Sequence, residues 1–407
     1  MMNMNRTLTA VAGLLAISAS CALAQDWPQW LGANRDAKAS GFSAPKTWPK
    51  EMTRKWKVAV GLGDATPALV GNKLYVFARE GDDEVIRCLD AANGKELWQV
   101  KYAAQDVTGP AAPHVGPRSS PTVADGKIVT LGVGGVLSCM DAAKGKLLWR
   151  KNDFSGEWPR FYTSSSPIIT GGLAIAQLGG ESTGAIVAYD LATGDQKWKW
   201  AGDGTAYASP VLLTVEGTKM LVALTTKRIV GIGVTDGKLL WEAPFLSQGR
   251  AYNAATPIVE GQTVIYAGSG RGTKSVKIKK AAAGFAAEEI WTNPDNAVLF
   301  NTPVLKGGQI YGFSQNGALF CLDAHGGKTL WTAEQGGRSY GTIVDAGSVL
   351  LALTPKGDLT VIEPSDKEYK KVASYKVADT ETCAYPVAAD KGLFVKEKDS
   401  LSLWNTN

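Results

Sequence analysis

An eleven-residue spacing recurs along this chain and constrains its fold more than any other feature. In residues 321–331 (CLDAHGGKTLW) a small residue leads, Asp323 stands two on, Gly327 four further, and Trp331 four further again. The spacing returns at 88–98 (CLDAANGKELW), 139–149 (CMDAAKGKLLW) and 188–198 (AYDLATGDQKW). It weakens at 231–241, which keeps Gly237 but has Gly233 in place of Asp. At 281–291 only the small residue Ala281 and Trp291 remain, with Ala287 in the Gly position. A self-similar unit of about forty to fifty residues marks a solenoid or a propeller.

Each unit opens on a hydroxyl residue, usually followed by Pro: Thr66, Ser120, Ser166, Ser209, Thr256 and Thr302. The seventh start is Thr342-Ile343 and the eighth Tyr385-Pro386. Apolar alternation, a tight turn such as Gly71-Asn72, and two more short runs follow, which read as antiparallel hairpins. Asp can bond its own downstream amides and Gly accepts positive φ, so Asp-x-x-x-Gly suits the turn into a fourth strand. Four strands per unit and eight starts predict an all-β fold, an eight-bladed β-propeller of four-stranded antiparallel blades. The eighth unit stops after three strands. Residues 52–60 (MTRKWKVAV) offer the missing fourth, so the N-terminal strand is expected to close the ring and leave no open edge. On this count Trp56, Trp98, Trp149, Trp198, Trp241, Trp291 and Trp331 dock seven blades, and Tyr375 substitutes in the degenerate seventh. The repeat makes these rings structural rather than a cofactor or sugar box.

Residues 1–24 read as a secretory signal, with Arg6, an apolar run over 8–20 and an A-x-A site at Ala22-Leu-Ala24. Processing before Cys21, with a lipid anchor there, is the less favoured alternative, because Ser18 stands where a bulky apolar residue is needed. The expected product is exported, periplasmic or secreted, with 25–50 packing on a propeller of 51–407. No later stretch is long and apolar enough for a membrane span. The net charge of +5 is spread without a long basic block, which argues against nucleic acid. Cys88, Cys139 and Cys321 share one repeat position that Ala188 and Gly231 fill elsewhere. With Cys383 they read as buried free thiols, since no pair has metal-ligand or haem spacing. The opening Asp26–Trp30 (DWPQW) reads as a plug on one face of the ring. The alternative is that its two Trp stack on a sugar or a partner.

The spacing with its terminal Trp resembles the docking motif of the pyrroloquinoline-quinone (PQQ) repeat superfamily, over nearly all of the chain after the leader. The resemblance implies one of two branches. Large quinoprotein alcohol dehydrogenases hold PQQ and calcium in the central funnel; propellers similar to the BamB type are catalytically silent accessories of outer-membrane β-barrel assembly. The dehydrogenase branch carries an adjacent-cysteine disulfide and a Glu–Asn–Asp calcium set, and this sequence has neither in a form that maps onto it. No catalytic residue is therefore carried over, and neither a cofactor nor a metal is expected. The resemblance implies an exported, non-catalytic scaffold that binds a protein partner in the envelope. The alternatives are a PQQ- and calcium-dependent alcohol or sugar oxidoreductase, and a carbohydrate-binding module.

The candidate binding surface is the channel rim just before each hydroxyl start. It carries Asp64, Arg118, Tyr162, Tyr207, Tyr252, Asn253, Asn301, Tyr340 and Tyr385, with Phe161 and Phe300 beside them. Aromatics with one Arg and amides are a lining for a small planar or sugar-like ligand, or for a peptide. The bland alternative is packing between blades. His114 has no partner predictable from sequence, and His325 sits in a repeat turn. A His-based triad or multi-His zinc site is therefore unsupported. Asp64, Asp106, Glu181 and Asp379 lie on different blades, and four lysines in 274–280 (KSVKIKK) read as a solvated edge or a basic patch.

Overall fold

The computed structural model describes residues 26–246, 252–282, 284–334, 340–390 and 392–407; the proposed signal and Cys21 lie outside them. The strands form eight four-stranded sheets, each a run of antiparallel neighbours. Seven sheets are continuous in sequence, spanning 68–103, 122–151, 168–200, 211–244, 258–293, 304–333 and 342–376. The eighth combines Val387–Ala389, Gly392–Lys396 and Ser400–Asn405 with the N-terminal strand Thr53–Ala59, which pairs antiparallel with the last strand. The ring is closed as the sequence predicts.

The three inner strands of each blade read as near-continuous apolar runs because both faces are covered. On blade three, Ile175, Ile186, Ala188 and Trp198 pack against Leu221, Ala223, Val230 and Ile232 of blade four. The alternate residues Ala174, Ala176, Leu178 and Val187 pack against Val129, Leu131 and Leu137 of blade two. Period-2 alternation thus feeds two different interfaces. Each Val, Leu or Ile among them contributes about 1.5–3 kcal/mol when fully buried.

The eleven-residue spacing is the lock between blades. The small residue lies directly across the sheet from the Trp: Cys88 from Trp98, Cys139 from Trp149, Ala188 from Trp198, Cys321 from Trp331. A bulge follows it immediately each time. The Asp carboxylate caps the turn, Asp190 Oδ1 accepting the amides of Ala192 and Thr193 at 2.9 and 3.0 Å. The Gly then receives the Trp of the preceding blade. Gly194, at φ +77°, lies so close to Trp149 that an added Cβ would sit 2.7 Å from the indole Cγ. The Trp149 indole N–H donates to the Leu191 carbonyl in the same turn at 3.1 Å. Trp198 and Trp291 repeat the bond to Val234 and Ala324.

Two degenerate blades depart from the expected register. In blade five the residue across from Trp291 is Ser275, because the Gly272–Ala281 and Gly284–Asn293 strands form a longer hairpin. Ala281 sits at its tip, so it is not the small residue of the lock. Lys274 and Lys279 pair with Glu289 and Glu288 across this hairpin, and the lysine-bearing strand Gly272–Ala281 is the third of its blade rather than an edge. In blade seven the position after which the bulge falls pairs Val361 with Ala373. Tyr375 therefore lies two residues beyond the Trp position; its hydroxyl donates to the Pro49 carbonyl at 2.6 Å, and its ring packs near Trp48.

Around the axis the hydroxyl starts form a directional chain. The amides of Thr66, Ser120 and Ser166 donate to the hydroxyls of Ser120, Ser166 and Ser209 at 2.9–3.0 Å. Thr256 N donates to Thr302 Oγ1, and Tyr385 N to Thr66 Oγ1. Tyr385 reaches past blade seven, its hydroxyl accepting from Thr302 N at 2.9 Å. These hydroxyls are inter-blade acceptors, with none of the bases a nucleophile needs.

The N-terminal segment seals one end of this channel. Trp27 exchanges both backbone bonds with Leu69, and the carbonyls of Pro28, Ala37 and Gly41 accept from Val123, Asp345 and Asp390. The buried Arg35 guanidinium donates to the carbonyls of Ser166, Pro167 and Pro210, and Trp30 Nε1 to Thr256 Oγ1 at 2.8 Å. Seven of the eight blades are thus tied to one short segment. Trp27 is 1% exposed, so it cannot stack on a sugar.

Candidate functional site

At the opposite end the channel opens into a cavity of about 380 Å³. Trp30 and Tyr385 form its floor, with ring centroids 5.1 Å apart and edge to face. On one wall Phe161, Tyr207 and Tyr252, from three successive loops, meet edge to face at 4.9–6.1 Å. Phe300 and Tyr340 make a second pair at 5.4 Å, and Phe300 is 48% exposed. Between this pair and the seam of the ring, Asn301 Oδ1, Thr342 Oγ1 and Thr382 Oγ1 are buried without a partner among the described residues. Buried acceptors of this kind call for a donor from water or ligand.

The seam itself is polar. His114 Nδ1 lies 2.8 Å from Asp64 Oδ2, and that bond raises the imidazole pKa above its ordinary value. Cys383 joins them, its thiol pKa pushed well up by burial and by the carboxylates of Asp64 and Glu381. An activated thiolate nucleophile needs the opposite surroundings. Beneath the seam Lys396 Nζ donates to the carbonyls of Gly61, Gly63, Glu397 and Lys398, and burial lowers its pKa to about 8.

Of the nine rim residues read from sequence, seven line this cavity: Asp64, Arg118, Tyr207, Tyr252, Asn301, Tyr340 and Tyr385. Two do not. Tyr162, at φ +64°, turns away to stack on Trp158 at 5.3 Å, and its hydroxyl accepts from Thr108 N. Asn253 is 2% exposed, donates to Thr225 O and accepts from Arg271. Arg118 is committed to the carbonyls of Phe161 and His114. The carboxylates do not converge: Asp106 pairs with Arg79, Glu181 accepts from Tyr207, and Asp379 pairs with Arg54 and Lys57. Sequence reasoning missed two participants. His114 has its partner across the seam, and Cys383 lines the cavity half-buried, unlike the three buried repeat cysteines. Cys383 occupies no repeat position, which is the signal that separates it from the others.

The profile of a family described as outer membrane protein assembly factor BamB matches residues 81–333 and 289–373. The chain belongs to this BamB family. The BamB of Burkholderia pseudomallei is 24% identical over 370 residues, covering 86% of each chain. A quinohemoprotein alcohol dehydrogenase of Comamonas testosteroni is 29% identical over 140 residues, a match spanning 34% of this chain and only 19% of that enzyme. Among solved structures, BamB from Moraxella catarrhalis superposes with a TM-score of 0.67 at 14% identity, covering 87% of this chain and 99% of that one. The Comamonas dehydrogenase superposes at 0.69 and 16%, covering 94% and 80%. These likenesses show a common propeller.

The dehydrogenase side of this kinship raises the fit of PQQ and calcium to a BamB-family funnel. Calcium takes six to eight oxygens, several of them carboxylate. The described lining offers one carboxylate, Asp64, already bonded to His114. An anionic quinone needs free cations, and the one guanidinium of the wall holds two backbone carbonyls. The donor set does not fit that pair. Among the described residues no helix is long and apolar enough to cross a membrane.

Proposed function

We propose that the protein is a non-catalytic propeller of the cell envelope that binds a protein partner at the open mouth, in the outer-membrane assembly role for which its BamB relatives are named. The observation that carries this reading is the evenness of the BamB match, which covers 86% of both chains, whereas the dehydrogenase match is a fragment of a larger enzyme. The mouth supports it. Partly exposed aromatics on a rigid ring are the kind of anchor a peptide segment buries against.

Photo-crosslinking from position 300 in the native envelope tests the proposal. The expected product joins the propeller to a component of the outer-membrane assembly machinery and is lost in Phe161→Ala/Tyr252→Ala. A saturable rise in melting midpoint with PQQ plus calcium, accompanied by substrate-dependent dye reduction, would overturn it in favour of the oxidoreductase.

A further inference from the structure

The seam of the ring brings together three side chains of different chemistry from three separate loops. Asp64 precedes blade one, His114 lies between blades one and two, and Cys383 precedes blade eight. One ligand atom from each lies within 4.8 Å of the other two, and this is the cluster of its kind among the described residues. All three line the open cavity. We propose that Asp64, His114 and Cys383 bind a borderline-soft divalent cation such as zinc, with a fourth coordination position facing the funnel.

The chemistry follows from the donors. An imidazole nitrogen, a thiolate sulfur and a carboxylate oxygen are the three ligand types zinc takes, and three protein ligands leave one tetrahedral position open. Hard cations prefer all-oxygen sets. Bonds of about 2.0–2.3 Å place tetrahedral donors roughly 3.3–3.8 Å apart, so a pair at the 4.8 Å limit must close by about 1 Å. Asp64 Oδ2 and His114 Nδ1, at 2.8 Å, must instead part by about 0.5 Å as the cation replaces their hydrogen bond. On binding, the Cys383 thiol proton and any proton shared by Asp64 and His114 leave to solvent, and the metal takes the place of those protons on the three ligand atoms.

The supports of the three ligands are built. The amides of Asp64 and Ala65 donate to Pro117 O, tying the first ligand to the loop of the second. The His114 carbonyl accepts from Arg118 Nη2 at 2.7 Å. The amide of Thr382, beside Cys383, donates to Pro355 O, and Tyr340 stands beside Cys383 in the cavity lining. Outer partners of this sort fix ligand orientation in metal sites. Glu381 adds negative charge in the adjoining cleft, while the positive charge of Arg118 is turned onto carbonyls. The cation would staple blades one, two and eight where the two ends of the chain meet, whatever partner the mouth receives.

Cobalt(II) is the probe, added to the chelator-stripped full protein. Cys88, Cys139 and Cys321 are buried in the blades, so a thiolate-to-cobalt charge-transfer band reports Cys383. The expected result is one equivalent bound, bleaching of the band by zinc, and a raised melting midpoint with zinc but not with magnesium. Cys383→Ser should abolish the band and weaken zinc binding by about 100-fold or more. His114→Gln should weaken it similarly and serves if the first variant does not fold. No band in the wild-type protein, a band that survives Cys383→Ser, or unchanged zinc affinity in both variants would each overturn the proposal.

Discussion

The two ends of the channel are lined by the same eight blades but are closed to different degrees, although the sealed end too keeps one buried donor, Trp27 Nε1, without a partner among the described residues. At the sealed end, the N-terminal segment meets the first-strand carbonyls with donors, and Arg35 alone answers three of them. At the mouth, three buried side-chain oxygens stand unanswered, Phe300 is half in solvent, and Phe161, Tyr207, Tyr252 and Tyr340 are partly exposed. The difference teaches where this protein keeps its stability and where it keeps its capacity to bind. A site that is to receive a donor cannot already hold one.

Substitutions at the two ends should separate accordingly. Arg35→Met keeps much of the volume but leaves three buried carbonyls without donors, so it should destabilise the protein by about 4 kcal/mol in denaturant unfolding. A loss below about 1 kcal/mol would mean that the seal adds little. The blade lock gives an intermediate benchmark. Gly194→Ala adds a Cβ at positive φ against Trp149 and should cost about 3 kcal/mol, visible as a lowered melting midpoint.

Lys396 sharpens the contrast under the mouth. Burial lowers its pKa from 10.5 to about 8, so between these values the unfolded chain binds the proton and the folded one does not. Stability contributed through this group therefore rises with pH across that window, by about 3 kcal/mol. Melting wild type and Lys396→Met side by side from pH 7.5 to 10.5 reads it as a widening gap. A gap that narrows would mean that the four carbonyls outweigh burial and hold the charge. Tyr252→Ala should be the mildest, within about 1 kcal/mol of wild type by melting, while abolishing the cross-linked adduct; the reverse pattern would make the mouth a structural end like the other.

Most of the fold was legible because the lock between blades is short-range and repeated. Asp190, Gly194 and Trp198 each do one physical task at a fixed offset, and Thr53–Ala59 was identifiable as the closing strand by what blade eight lacks. Blade five was misread at Ala281 because a lengthened hairpin changes no residue type, only the pairing of Ser275 with Trp291. Tyr375 was misread because its aromatic character drew attention from Ala373, which holds the register. The rim was legible as a set but not residue by residue. Tyr162 and Asn253 are neighbours of lining residues, and only backbone geometry decides which of two adjacent side chains faces the cavity. The pairing of His114 with Asp64 and Cys383 depends on the seam, where residues far apart in sequence meet.

Closure by Thr53–Ala59 has a consequence for the order in which the chain is made. This strand emerges before the seven continuous blades, yet its partner Ser400–Asn405 is the last strand of the ring to be synthesised. Throughout translation it is an unpaired edge, the kind of surface that recruits wrong partners. Three of its seven residues, Arg54, Lys55 and Lys57, are cationic, and charge of one sign discourages self-association while the ring waits to be completed. Once the final strand arrives, Arg54 and Lys57 find Asp379, and Lys57 also Glu397, so the charges that kept the strand solitary become part of the clasp.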